Sequence, residues 1–236
     1  MTTERTHVIT GTATREGTTA PSGDAFAVHV QADGTTAAAV VDGIGHSPRV
    51  TAVAQLLADV VARISARRSP LGGLLTATDL VADPGADEEP EPDAVAVVAV
   101  AEPGDDRIRI AWVGDCRAYA LTANGELELC TVDHNLAEQL AIAGYKGEVT
   151  RHASQWVRTS VATAAVATVA EAWTEHPLVV LTSDGVHDQV PHDVLQALVV
   201  KHACDPQALA EALVSAATSG PDGERDDATA VVLRHL

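Results

Sequence analysis

Lysine is almost missing from this chain. Lys146 and Lys201 are the only two, and Lys and Arg together number 15 against 33 Asp and Glu, a formal charge of −18 over 236 residues. That balance argues against a nucleic-acid partner, because neutralising phosphates requires clustered basic side chains. Aromatic residues are equally scarce: Phe26, Trp112, Trp156, Trp173, Tyr119 and Tyr145 are the whole set, so Ala and Val must fill the core. No apolar run approaches the length of a bilayer span, and the N-terminal MTTERTHVIT has no apolar h-region of a secretory signal. Cys116, Cys130 and Cys204 form no CxxC pair; so few, unpaired cysteines fit reduced thiols, and a cytoplasmic location is expected. What is present is an apolar content of 46%, enough for a folded core, and a length that suits one domain over residues 1–236.

Strand-like runs occupy His7 to Thr14, Asp24 to Gln31 and Thr36 to Val41. Pro48 then marks a helix start, and Val50, Val53, Ala54, Leu57, Val60, Val61 and Ile64 recur at helical spacing. A second helix is expected from Pro70 to Leu80. Residues Ala82 to Asp93, ADPGADEEPEPD, read as a solvated acidic loop. Strands follow at Ala94 to Ala101, Arg107 to Val113, Arg117 to Ala123 and Leu127 to Val132, with Asn124-Gly125 as a hairpin signal. A short helix is expected near Leu136 to Ala143, then irregular chain to about Arg158, then strands near Ala164 to Ala170 and Leu178 to Ser183. Helices near His192 to His202 and Pro206 to Thr218 precede a last strand, Ala228 to Leu233. Two early helices, two late helices and strands between them suggest sheets sandwiched by helical layers.

Acidic residues fall at strand ends. Three apolar runs close on Asp with an adjacent Gly: AAAVVDG at Asp42, AWVGD at Asp115 and VVLTSDG at Asp184. Two more acids open strands, Asp24 in GDAFAVHV and Asp226 in RDDATAVVL. Any one of these is an ordinary turn or cap. Together they put five carboxylates along one rim of a sandwich, and all-oxygen ligation suits Mg²⁺ or Mn²⁺.

These segments resemble the metal-dependent protein phosphatases, the PPM or type 2C family. VVDGIGH resembles its Asp-Gly-x-Gly-Gly motif, AWVGDCRAYAL its Gly-Asp-Ser-Arg strand pair, LTSDGVHDQV its Ser-Asp-Gly-Leu-x-Asp motif and RDDATAVVL its closing Asp-Asn-x-Thr-Val strand. PSGDAFAV sits where the family has Asn-Glu-Asp, and the motifs run in family order from Asp24 to Leu233. The resemblance implies an α+β fold, a four-layer α-β-β-α sandwich of two central, mostly antiparallel sheets flanked by helical pairs. It implies two, or three, Mn²⁺ or Mg²⁺ ions. Asp42 would bridge two of them, the carbonyl of Gly43 would ligate one, Asp184 and Asp226 the other, Asp24 would hold waters, and Asp115 would serve a third site. It also implies hydrolysis of phosphoserine or phosphothreonine on a protein substrate by metal-activated water, and a flap over about Gly144 to Arg158 that follows Asp133-His134-Asn135.

Four positions depart from the family pattern. Thr19 stands where many members carry a phosphate-gripping Arg; Arg15 or Arg158 either replaces it or is an ordinary surface residue. Ser22-Gly23 replaces Asn-Glu. His46 replaces the last glycine of the Asp-Gly-x-Gly-Gly motif, either as a general acid for the leaving alkoxide or as a solvent-facing residue ahead of the helix. Cys116 replaces Ser, where a packing role is expected. These departures leave an alternative to the enzyme: a weakly active or inactive member acting as a regulatory binding protein.

Overall fold

The computed structural model describes residues 7–81, 92–147, 149–220 and 223–236. The acidic segment 82–91 lies outside the described residues. In chain order the elements are β1 (Val8–Arg15), β2 (Asp24–Val30), β3 (Thr36–Gly43), α1 (Pro48–Arg67), α2 (Pro70–Val81), β4 (Ala94–Ala101), β5 (Ile108–Val113), β6 (Arg117–Leu121) and β7 (Leu127–Leu129). They continue as α3 (Leu136–Ile142), α4 (Arg151–Ser154), β8 (Ala170–Thr174), β9 (Leu178–Thr182), α5 (Asp184–His187), α6 (His192–His202), α7 (Pro206–Ala216) and β10 (Ala228–His235).

Two five-stranded antiparallel sheets form, ordered β1-β10-β9-β6-β7 and β2-β3-β4-β5-β8. Period-2 alternation sorts their side chains into layers. In β4, which is buried along its whole length, Ala94, Ala96, Val98 and Val100 pack under α1 and α2. Val95, Val97, Ala99 and Ala101 face the other sheet together with Ile110, Trp112, Leu181 and Leu233. On the far side, Val180, Ala230 and Val232 meet Leu195, Leu209 and Leu213 of α6 and α7. The order helix pair, sheet, sheet, helix pair is the expected four-layer α+β sandwich. Small Ala and Val side chains suit a strand covered on both faces, where bulk would force the layers apart.

The local devices follow the sequence. Ser47 accepts from the Val50 N–H at 3.1 Å and caps α1 ahead of Pro48. The Asn124-Gly125 turn joins β6 to β7, with Gly125 at φ +80°. One strand lies elsewhere than expected. Residues 161–168 form turns, closed by Thr168 accepting from the Ala165 N–H and by bonds from Thr168 N and Val169 N to the Ala165 carbonyl. The edge strand is instead Ala170–Thr174, alternating inward and outward around Trp173. Threonine hydroxyls offered the backbone a local alternative to a ladder. Among the described residues, no helix is long and apolar enough to cross a membrane.

Candidate active site

Antiparallel pairing brings strand starts and ends to one rim. Asp24, the first residue of β2, lies directly across from Asp42 near the end of β3. Asp115 follows β5, Asp184 follows β9 and Asp226 precedes β10. Asp42, Asp115, Asp184 and Asp226 line one pocket of about 560 Å³, with Gly43, Ile44 and His46 on one side and His152 and Ser154 to Val157 on another.

The local architecture fixes these acids. Asp24 accepts from the Ser183 hydroxyl at 2.7 Å, and Ser183 accepts in turn from the Thr229 N–H at 3.0 Å. A carboxylate of one sheet is thereby tied to two strands of the other. Asp227, which motif matching passes over in favour of its neighbour, is buried and accepts from the N–H groups of Gly17 at 2.6 Å and Gly23 at 2.7 Å. It pins the loop entering β2 to the start of β10. The signal is present in the sequence: adjacent residues entering a strand point to opposite faces, so RDD has to present two acids in two directions. Gly23 also has a reason to lack a side chain. A Cβ there would sit 2.9 Å from the Gly43 carbonyl oxygen. The glycine after Asp184 serves close approach rather than a turn, because a Cβ on Gly185 would lie 2.0 Å from the Asp227 carbonyl oxygen. Gly185→Ala is therefore expected to cost about 2 kcal/mol and lower Tm by roughly 6 °C; an unchanged Tm in a calorimetric melt would contradict this packing.

The acids repel one another. Burial, then the charges of Asp184, Asp24, Asp115 and Asp226, hold the Asp42 carboxyl well above the usual range. Burial, then Asp226, Asp115 and Asp24, do the same to Asp184. Burial outweighs the Ser183 and Thr229 hydrogen bonds at Asp24 and pushes it up to about 8. Burial and Asp133 raise Asp115 to about 6. Such a cluster has the chemistry of a site for hard divalent cations, which would relieve both the desolvation and the repulsion. As they stand, no three His, Cys, Asp or Glu side chains among the described residues form a ready-made metal-holding group.

The remaining sequence candidates separate. His46 is exposed at the pocket rim. Arg15 is not among the pocket-lining residues. Its guanidinium donates to the Ala217 carbonyl at 3.0 Å and more weakly to those of Val214 and Ser215, closing the C-terminal end of α7. Strand alternation turned it outward to the helical layer. Arg15→Ala is expected to cost about 1 kcal/mol of stability and to leave KM for a phosphopeptide unchanged; a raised KM with unchanged Tm would return it to the site. Arg158 is exposed and is not among the pocket-lining residues. Arg117 pairs with Asp133 at 2.7 and 3.0 Å, joining β6 to the segment before α3. Cys116 is buried in the inter-sheet core.

The chain matches the SpoIIE family (stage II sporulation protein E) over residues 32–236. No curated protein sequence matches it. Solved structures share the fold over the full chain. The S. agalactiae serine/threonine phosphatase superposes with a TM-score of 0.81 at 16% identity, covering 97% of this chain and 99% of that one. PppA, a key regulatory component of T6SS in Pseudomonas aeruginosa, gives 0.76 at 21% identity, covering 98% and 99%. The catalytic domain of the serine/threonine protein phosphatase PstP, in complex with two manganese ions, gives 0.70 at 18% identity, covering 98% and 99%.

Proposed function

This chain belongs to the SpoIIE family of PPM-type phosphatases, and from that premise we propose that it hydrolyses phosphoserine or phosphothreonine on proteins with bound Mn²⁺ or Mg²⁺. The observation that carries the reading is the meeting of Asp42 and Asp115 from one sheet with Asp184 and Asp226 from the other in a single pocket. When bound, two divalent cations supply Lewis acidity at the phosphoryl oxygens and an activated water. Asp42, the Gly43 carbonyl, Asp184 and Asp226 would hold them, Asp24 would orient water, and Asp115 would serve a weaker third ion. Ser183, which follows β9 in the other sheet, donates to Asp24 and fixes its carboxylate. His46, at the rim of the same pocket, donates a proton to the leaving alkoxide. With charge on the phosphoryl group offset in this way, no covalent intermediate on a side chain of this chain would be required. The substrate is a phosphorylated protein segment presented at the pocket mouth, and the activity is proposed for the cytoplasm.

A second reading is a regulatory binder with little turnover. It is favoured by one observation: no Lys or Arg side chain among the described residues lines the pocket to grip a phosphate. A phosphothreonine peptide and p-nitrophenyl phosphate, assayed with Mn²⁺ and with a chelator, separate the two. The enzyme reading expects Mn²⁺-dependent release of phosphate; none from either substrate leaves the binder.

A further inference from the structure

The described pocket lining is acidic. Asp42, Asp115, Asp184, Asp226 and Asp227 contribute to it with Asp188, and no described Lys or Arg side chain does. Two divalent cations balance four of the five charges of Asp42, Asp115, Asp184, Asp226 and Asp227, and a bound phosphate monoester brings back about two. A substrate entering this site therefore meets a field that favours cations. At the mouth stands an aromatic that the core does not use. Trp156 is 57% exposed, although it lines the pocket. It does not sit there through slack chain: the Leu136 N–H donates to its carbonyl at 3.0 Å, and the Arg158 N–H donates to the His134 carbonyl at 2.7 Å. Val157 bridges to Asn135, which caps α3 through a 2.9 Å bond from the Glu138 N–H. Ile44 adds a second exposed apolar side chain to the pocket lining, at 51%.

We infer that the pocket selects phosphorylated segments that carry an arginine or lysine beside the phosphorylated residue, its aliphatic stem on Ile44 and its charged head over the Trp156 indole. The inference rests on the phosphatase reading above for the nature of the substrate. A planar guanidinium over an indole face gains from the ring quadrupole, and the surrounding aspartates add to that attraction. The substrate itself thus brings the cation that Thr19 does not supply. An acidic neighbour would meet only repulsion.

The test uses fluorescein-labelled peptides with a non-hydrolysable phosphonate in place of phosphothreonine, identical except for Arg, Ala or Glu at the next position. Binding to the Mn²⁺-loaded full chain is read by anisotropy. The Arg peptide is expected to bind about tenfold tighter than the Ala peptide, the Glu peptide weaker than either, and the Arg preference to shrink as salt rises from low to high concentration. Trp156→Ala should bring the Arg peptide to the affinity of the Ala peptide with no change in Tm, and Trp156→Phe should keep part of the preference. Equal binding of the three peptides, or an Arg preference untouched by Trp156→Ala, overturns the inference. Because nothing is hydrolysed, the peptide preference is measurable even in a chain without turnover. An active phosphatase without the Arg preference refutes this inference alone.

Discussion

Asp42→Asn is expected to lower phosphatase activity at least ~10³-fold while raising the melting temperature of the metal-free protein. The first effect follows from the proposed ligand set: Asp42 is the one carboxylate assigned to both ions, and an amide cannot replace a bridging anion. The second follows from the electrostatics. Asp42 is held far above the usual carboxylate range by burial and by four neighbouring aspartates, so near neutral pH the unfolded chain gains by ionising it and the fold does not, a cost that an amide removes. The opposite signs make the variant informative: a misfolded protein would lose both activity and Tm. Retention of more than a few per cent of activity would contradict the assignment of Asp42, and a lowered metal-free Tm would contradict the repulsion.

The metal-free protein should also lose stability as pH rises from 5 to 8, by roughly 10 °C in Tm. Asp24 titrates near 8 in the fold and near 4 in the unfolded chain. Below pH 4 both forms hold the proton and the group is neutral in its effect. Between 4 and 8 the unfolded carboxyl ionises while the folded one does not, so the unfolded state gains. The full shift corresponds to roughly 5 kcal/mol, a large part of the stability of an ordinary domain. Asp42 and Asp184 are raised for the same reasons and act in the same direction. Asp33 and Asp105 are lowered by hydrogen bonds at the surface and change the balance only below this window. Mn²⁺ should reverse the loss, and by more at pH 8 than at pH 5, because it binds the ionised carboxylates. The check is a set of thermal melts across pH with and without Mn²⁺. A Tm that neither falls with pH nor responds to the metal would argue against a cation site in this cluster.

Much of the fold is legible along the chain because its signals are local. Ser47-Pro48 announces a helix start, Asn124-Gly125 a hairpin, and the strand-end aspartates a rim. Where the structure departs from such signals, other bonds won. Ala164 to Ala170 is apolar enough for a strand, yet the Thr168 hydroxyl and the Ala165 carbonyl close a turn there. Strand alternation sets Asp226 and Asp227 in different directions, but only the approach of the Gly17 and Gly23 N–H groups makes Asp227 the buried anchor. Arg15 is close enough in sequence to Asp24 to serve a phosphate, but its side chain lies on the end of α7.

The sequence by itself determined the class of fold and the identity of the acids, because hydrophobic period and turn chemistry are written in consecutive residues. Only the tertiary structure decided which groups share a space. It put Asp24 across from Asp42 and under Ser183. It turned Arg15 outward and left Trp156 at the mouth of a pocket that no described Lys or Arg side chain lines. Those outcomes depend on how two sheets stack and where loops cross, and the energies involved belong to pairs of residues as much as 210 positions apart.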